Sequence, residues 1–451
     1  MGKIWRGLAI LLITTGAVAV GVAAAIQPKP VLPLYAAGVT YDQGGRLINI
    51  PLGASEGYLP GTNVLAAAAA GSERLIAEDR AWLAAGTVPG AGTPYAAMVE
   101  RALLDLRALS SEHGVPIAAN RPSWRYVWPR DAAFAVAAMS ATGHHEDAET
   151  ILRFLWRAAP VDGIWHARYR PDGSGEPPDD REPQLDGSGW VPWALWIWKE
   201  SHPDQRHAEL VTRELGAVAI SSANAVMVRL GKDGLPHASP DYWERRESRL
   251  TLGTAALASV GLRAAAQLAP VLEVDGTGWQ HAAATLDNAL ETEFGSAGYP
   301  RTLPHGGADA AIAFLGPPFT EADDAVEDAI RSAATVLAVP NGGLRPGESW
   351  RKDVDVAWTP ATGLVALALA GIGDDQAAKR LLTWMDGHRT TAGALPEKVD
   401  AAGQPATVAP LGLAAALVIL TVVELEEGLP VLPSTAGVGG HNRALAIVSS
   451  R

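Results

Sequence analysis

Two glutamates sit in loops where they could act as a proton donor and a proton acceptor. Glu244 lies in Ser239-Pro240-Asp241-Tyr242-Trp243-Glu244-Arg245-Arg246-Glu247, and Glu397 in Leu395-Pro396-Glu397-Lys398-Val399-Asp400. Each stands beside an aromatic or stiff residue, and each loop runs toward a long apolar helical stretch. A pair of carboxyl groups is what glycoside hydrolysis uses: one protonates the leaving oxygen, the other activates water. Most glutamates are solvated surface charges, so the pair gains weight only from its neighbours. Trp124-Arg125-Tyr126-Val127-Trp128-Pro129-Arg130-Asp131 runs into the apolar stretch Ala132–Met139. An arginine beside an aspartate at a helix start can grip vicinal hydroxyls, one donating and the other accepting. Pro129 stiffens the turn and Asp131 is the expected N-cap. Gln184-Leu185-Asp186-Gly187-Ser188-Gly189-Trp190 leads into a second helix studded with Trp193, Trp196 and Trp198. There, Trp190 at the loop edge is the expected stacking residue.

Composition favours the same chemistry. There are 15 Trp against 5 Phe and 8 Tyr, the reverse of an ordinary core. Indole rings stack on sugar faces and donate one N–H, although a GC-rich codon bias also raises Trp. The net charge of −13 argues against nucleic acid, which needs a basic face. The absence of cysteine excludes disulfides and thiolate zinc sites. No P-loop or dinucleotide fingerprint occurs, and no cofactor or metal is expected. Gly53-Ala54-Ser55-Glu56-Gly57 has the letters of a nucleophile elbow but lacks the strand and helix that an elbow needs.

The elements that must position these residues are helical. Apolar stretches with helical spacing recur at about 62–86, 94–111, 131–143, 145–158, 190–200, 205–230, 249–269, 277–293, 321–338, 358–371, 374–386 and 409–427. Little of this alternates with period two, which disfavours a parallel sheet. With no repeat of solenoid length, the reading is an all-α domain over 61–430. Residues 31–60 read as a short extended hairpin segment and 431–451 as a flexible tail. Lys3 and Arg6 precede an uncharged run, Leu8–Ile26, so residues 1–30 read as a signal peptide or signal anchor. The expected location is extracellular or cell-envelope, with membrane anchoring through residues 8–26 if the segment is retained. The expected assembly is a monomer.

These stretches, in this order, resemble glycoside hydrolase family 15, the glucoamylase-like enzymes, over about residues 115–425. Tyr126 to Asp131 resembles the family's sugar-clamping motif, and Gln184 to Trp196 its second motif. Trp243-Glu244 resembles the general-acid loop, and Pro396-Glu397 to Pro410 the general-base loop. Gly343-Leu344-Arg345-Pro346-Gly347-Glu348 resembles a loop whose arginine binds the terminal sugar, and Trp358 follows it as in the family. The resemblance implies an (α/α)6 barrel and an inverting exo-attack on α-glucosyl ends. Glu244 and Glu397 would be catalytic. Tyr126, Trp128, Arg130, Asp131, Asp186, Trp190, Trp243, Arg345 and Trp358 would bind the carbohydrate. Arg245 stands where many relatives carry a second acid, which leaves the substrate open. A trehalose-cleaving or transglycosylating relative, or a non-catalytic glycan-binding envelope protein on the same barrel, are the alternatives.

Overall fold

The computed structural model describes residues 32–54 and 56–434. The expected targeting segment at 1–30, residue Ser55 and most of the expected tail lie outside the described residues. Strands β1 (Gly38–Tyr41) and β2 (Leu47–Ile50) form an antiparallel hairpin in which Val39 faces Asn49. The helices follow as α1 (Glu73–Ala85), α2 (Ala96–Ser110), α3 (Pro129–Ala141), α4 (His145–Ala158) and α5 (Gly187–Ser201). Then come α6 (Gln205–Leu215), α7 (Ala217–Met227), α8 (Leu252–Leu272), α9 (Thr277–Ala289) and α10 (Asp324–Val336). The last are α11 (Thr359–Gly371), α12 (Asp375–Gly387) and α13 (Gly412–Glu426).

The pattern of apolar residues decides which helix goes where. Helix α4 buries Ala148, Ile151, Leu152, Leu155 and Ala158, one stripe at three- and four-residue spacing, and exposes its charged face. Helix α13 is apolar all round and buries every residue from Gly412 to Val423. The first kind covers the outside; the second can only lie inside. The inner ring runs α3, α5, α8, the 3₁₀ segment Ala310–Leu315, α11 and α13, which returns to α3. Helices α2, α4, α6–α7, α9, α10 and α12 precede these in turn, each the outer member of a hairpin. This is the (α/α)6 barrel. Three strand pieces, β3 (Ala357–Trp358), β4 (Lys398–Val399) and β5 (Pro405–Ala406), make a small antiparallel sheet at its rim.

One inner position departs from the pattern. Ala310–Leu315 is a single short 3₁₀ stretch where the other hairpins have long helices, yet Ala310 to Phe314 are all buried. No helical period is visible there in the sequence. Two neighbouring inner helices come unusually close. A Cβ on Gly189 of α5 would stand 2.2 Å from the Leu257 carbonyl oxygen, and one on Gly261 of α8 would stand 2.3 Å from that of Ser188. Gly189 and Gly261 therefore serve backbone approach, while Gly187 makes room for the Trp165 side chain. Among the described residues, α8 is the one helix long and apolar enough to cross a membrane; 78% of its apolar window is buried inside the barrel. The stretch 205–230 is broken at Gly216 into α6 and α7, and 62–86 becomes a 3₁₀ turn followed by α1.

Candidate active site

Every chemically interesting loop precedes an inner element, so the loops meet on one rim. The hydrogen bonds trace the circuit. Gln184 Nε2 donates to the Asp241 carbonyl at 2.9 Å, and Leu252 N to the Arg301 carbonyl at 2.8 Å. Ala310 N donates to Pro346 at 2.9 Å, Thr359 N to Glu397 at 3.0 Å, and Gly412 N to Ala118 at 2.9 Å.

The segment before α3 ties the two glutamates together. Trp128 Nε1 donates to Glu244 Oε1 at 2.7 Å, and Trp124 Nε1 approaches Glu397 Oε1 at 3.4 Å. Trp128 is the cap residue of α3, Pro129 its first residue, and Asp131 sits in the first turn. The expectation that Asp131 is the N-cap is thereby corrected: its carboxylate instead accepts from Arg130 Nε at 2.9 Å. Arg130 also donates to the Tyr242 carbonyl at 3.1 Å, which joins the clamp to the Glu244 loop.

The charges around this pair are coupled. Burial pushes the Asp131 carboxyl up and Arg130 opposes it; the charges of Glu244 and Glu397 both push it further up. Asp131 thus feels both carboxylates. Burial would pull Arg130 down, but Asp131, Glu244 and Asp186 outweigh it, and its affinity for the proton rises. Asp186 is 3% exposed and is pushed up to about 8, by burial first and then by Asp241, against Arg130. It sits under the clamp and does not line the cavity beside it.

That cavity, of about 120 Å³, is walled by Arg130, Asp131, Trp243, Trp350 and Trp358 and floored by Leu364, Leu413 and Leu417. Trp350 meets Trp243 edge-on at 4.9 Å and Trp358 at 5.1 Å. All three indole nitrogens are buried without a hydrogen-bond partner, and so is Glu397 Oε2. Buried donors and acceptors are normally satisfied. Three unused donors on residues that line the hollow, and an unused acceptor on Glu397 outside its lining, suit a ligand rich in hydroxyls. Lys398 Nζ lies 4.0 Å over the Trp358 ring, which holds that ring beside Glu397.

Glu244 opens to a second hollow of about 200 Å³ that also holds Arg181 and Arg245. Its backbone is left-handed, φ 54°, within a turn closed by Glu244 N on the Asp241 carbonyl at 2.7 Å. Such a conformation costs a non-glycine residue about 1–3 kcal/mol and persists only where its surroundings enforce it. The enforcement comes from Arg301, whose side chain is 4% exposed. It pairs with Asp241 at 2.9 Å, Glu247 at 2.8 Å and Asp309 at 3.0 Å, and stacks 3.5 Å from the Trp243 ring. Tyr242 donates its hydroxyl to Asp309. Arg301→Leu should therefore destabilise the protein by about 3–5 kcal/mol, because Asp241 and Asp309 would remain buried without a counter-charge. A urea midpoint within error of the parent would refute this.

Several expected binding residues stand elsewhere. Trp190 is 1% exposed and packs in the core against Phe134 and Phe314 at 5.4 and 4.9 Å. It is one layer behind the cavity, because the helix begins at Gly187 and has already turned Trp190 inward. Tyr126 is half-buried beneath Arg168, 4.6 Å from its ring, and does not line the cavity. Arg345 leaves the wall to its neighbour Pro346; its buried Nε has no hydrogen-bond partner. Glu397 lines neither hollow, so its link to Glu244 runs through Trp124, Trp128 and Asp131. Trp350, Arg301 and Arg181 were not singled out by the sequence. Only the tryptophan excess pointed toward the first, and the other two come from loops with no motif.

No protein-family model matches the chain, and no curated protein matches it by sequence. Solved structures do. A glycosidase in complex with glucose superposes with a TM-score of 0.62 at 18% identity, over 73% of this chain and 96% of its own. A bacterial glucoamylase complexed with acarbose gives 0.64 at 17%, over 80% of this chain and 59% of its own. The glucoamylase from Saccharomycopsis fibuligera gives 0.51 at 13%, over 69% and 89%. The fold is glucoamylase-like.

Proposed function

We propose that the protein is an inverting exo-glycosidase that releases terminal units from α-glucosides. One observation carries the reading: the segment Trp124–Asp131 places one indole N–H on each of two carboxylates and an Arg–Asp clamp beside them. Arg130 and Asp131 grip hydroxyls of the terminal sugar, and Trp243, Trp350 and Trp358 wall it. Glu397, with one oxygen unpartnered, accepts a proton from water as the water oxygen bonds to the anomeric carbon. The glycosidic bond breaks, and Glu244 passes its proton to the leaving oxygen. Attack opposite the leaving group inverts the centre. For Glu244 to carry that proton, its ion pair with Arg181, 2.5 Å in length, must open.

The glycosidase and glucoamylase folds support this reading. The binding-protein alternative draws on that same ion pair, which occupies one oxygen of the acid. A panel of α-1,4-, α-1,6- and α,α-1,1-linked glucosides, read by released glucose, decides between them: turnover of any one supports the enzyme, and binding without release supports the alternative. Export is proposed from residues 1–30 alone. Fractionation of cells making the full chain should place it outside the cytoplasm, and cytoplasmic protein with that segment intact would refute export.

A further inference from the structure

The hollow on the outer side of Glu244 is built from charges. Arg181, Arg245 and Arg246 line it with Asp180, Glu182 and Glu244. Arg246 is matched by Glu182 at 2.9 Å, and Arg181 by Glu244 at 2.5 Å. Arg181 also reaches Asp179 at 3.4 Å, but Asp179 is shared with Arg168 at 2.5 Å. Arg245 is exposed and makes no ion pair among the described residues; its guanidinium carbon lies 5.8 Å from the Trp243 ring. With Glu244 ionised the lining is balanced. In the state that performs the reaction Glu244 is protonated, and three arginines then face only two carboxylates. The side chain released by Glu244 is Arg181, next to the unpaired Arg245. This hollow shares no lining residue with the cavity beside the clamp.

We infer that the unit leaving from Glu244 carries an anionic group, a carboxylate or a phosphate, held by Arg245 and Arg181. Resting on the glycosidase reading, the inference names its substrate class: α-glucosides of acidic leaving groups rather than a neutral glucan. The anion does two things. It restores charge balance once Glu244 is protonated, and it competes with Glu244 for Arg181, so binding of the right substrate opens the ion pair that holds the acid. A guanidinium prefers such two-oxygen partners. No covalent step is added to the hydrolysis; the leaving oxygen still takes its proton from Glu244.

The test uses the full chain with three synthetic probes: the α-D-glucopyranosides of 4-carboxyphenol, 4-phosphonophenol and 4-carbamoylphenol. The carbamoyl compound is the neutral match. We expect kcat/KM for at least one anionic probe to exceed that for the neutral one by ~10-fold or more, the worth of one charge-assisted contact. Preference for the carboxylate or for the phosphonate identifies the anion. Arg245→Glu should erase the preference, and Arg245→Lys should restore part of it. Turnover of the neutral probe with a ratio near one, or a ratio unmoved by Arg245→Glu, overturns the inference and leaves the glycosidase reading standing. Failure of all three probes and of the neutral panel overturns both.

Discussion

Glu397→Gln should lower kcat by about 10²–10⁴ while leaving the fold intact. The change is nearly isosteric and removes only the proton-accepting oxygen. The backbone of Glu397 is pinned independently: its N–H donates to Val408 at 2.8 Å and its carbonyl accepts from Thr359 at 3.0 Å. The Trp124 indole can still find the amide oxygen. The thermal transition should move by no more than a few degrees. Glu397 Oε2 is buried and unpartnered, so the site spends stability to keep an acceptor free. A surface glutamate would show neither the cost nor the loss of rate. Glu244→Gln should lose a comparable factor. Small azide should partly rescue Glu397→Ala, because an anion can then occupy the attacking position. A Glu397→Gln enzyme within tenfold of the parent, under conditions where chemistry limits turnover, would remove Glu397 from the mechanism.

Asp131→Asn should cost ~10²-fold or more in kcat/KM, with the loss in kcat as well as KM. The carboxylate is held by Arg130 and feels the charges of both glutamates, and its contacts to the sugar hydroxyls tighten as the sugar flattens toward the transition state. Neutralising it also unbalances Arg130, which Asp131 holds at 2.9 Å. Arg130 keeps its bond to the Tyr242 carbonyl at 3.1 Å and stays anchored to the acid loop. Folding should therefore survive. If the variant instead unfolds, with residual activity scaling with the folded fraction, the pair is a structural salt bridge and the clamp is wrong.

Much of this was legible because inner and outer helices read differently. The stripe of α4 and the unbroken apolar run of α13 each specify a layer, and the loops between them carry the motifs. The failures have physical causes. Trp190 looked like a loop residue because Gly187-Ser188-Gly189 reads as flexible, whereas Gly187 begins the helix and Gly189 lets α5 and α8 touch. Asp131 has the right residue type for a cap, but Pro129 at the first helical position moves the cap back to Trp128. The inner segment Ala310–Leu315 is too short to show a period. Arg301 and Arg181 act through tertiary ion pairs, and pairing across 54–63 positions leaves no local pattern.

The most direct measurement is the anomeric form of the first product. Proton NMR of the sugar released in the opening minutes, before mutarotation, reads it without assumption about the substrate's aglycone. The β-anomer should form first from an α-glucoside when Glu397 is present, and be lost with Glu397→Gln. Appearance of the α-anomer first would contradict it, because retention requires a covalent intermediate on one of the carboxylates and a water that Glu397 does not activate in the first step.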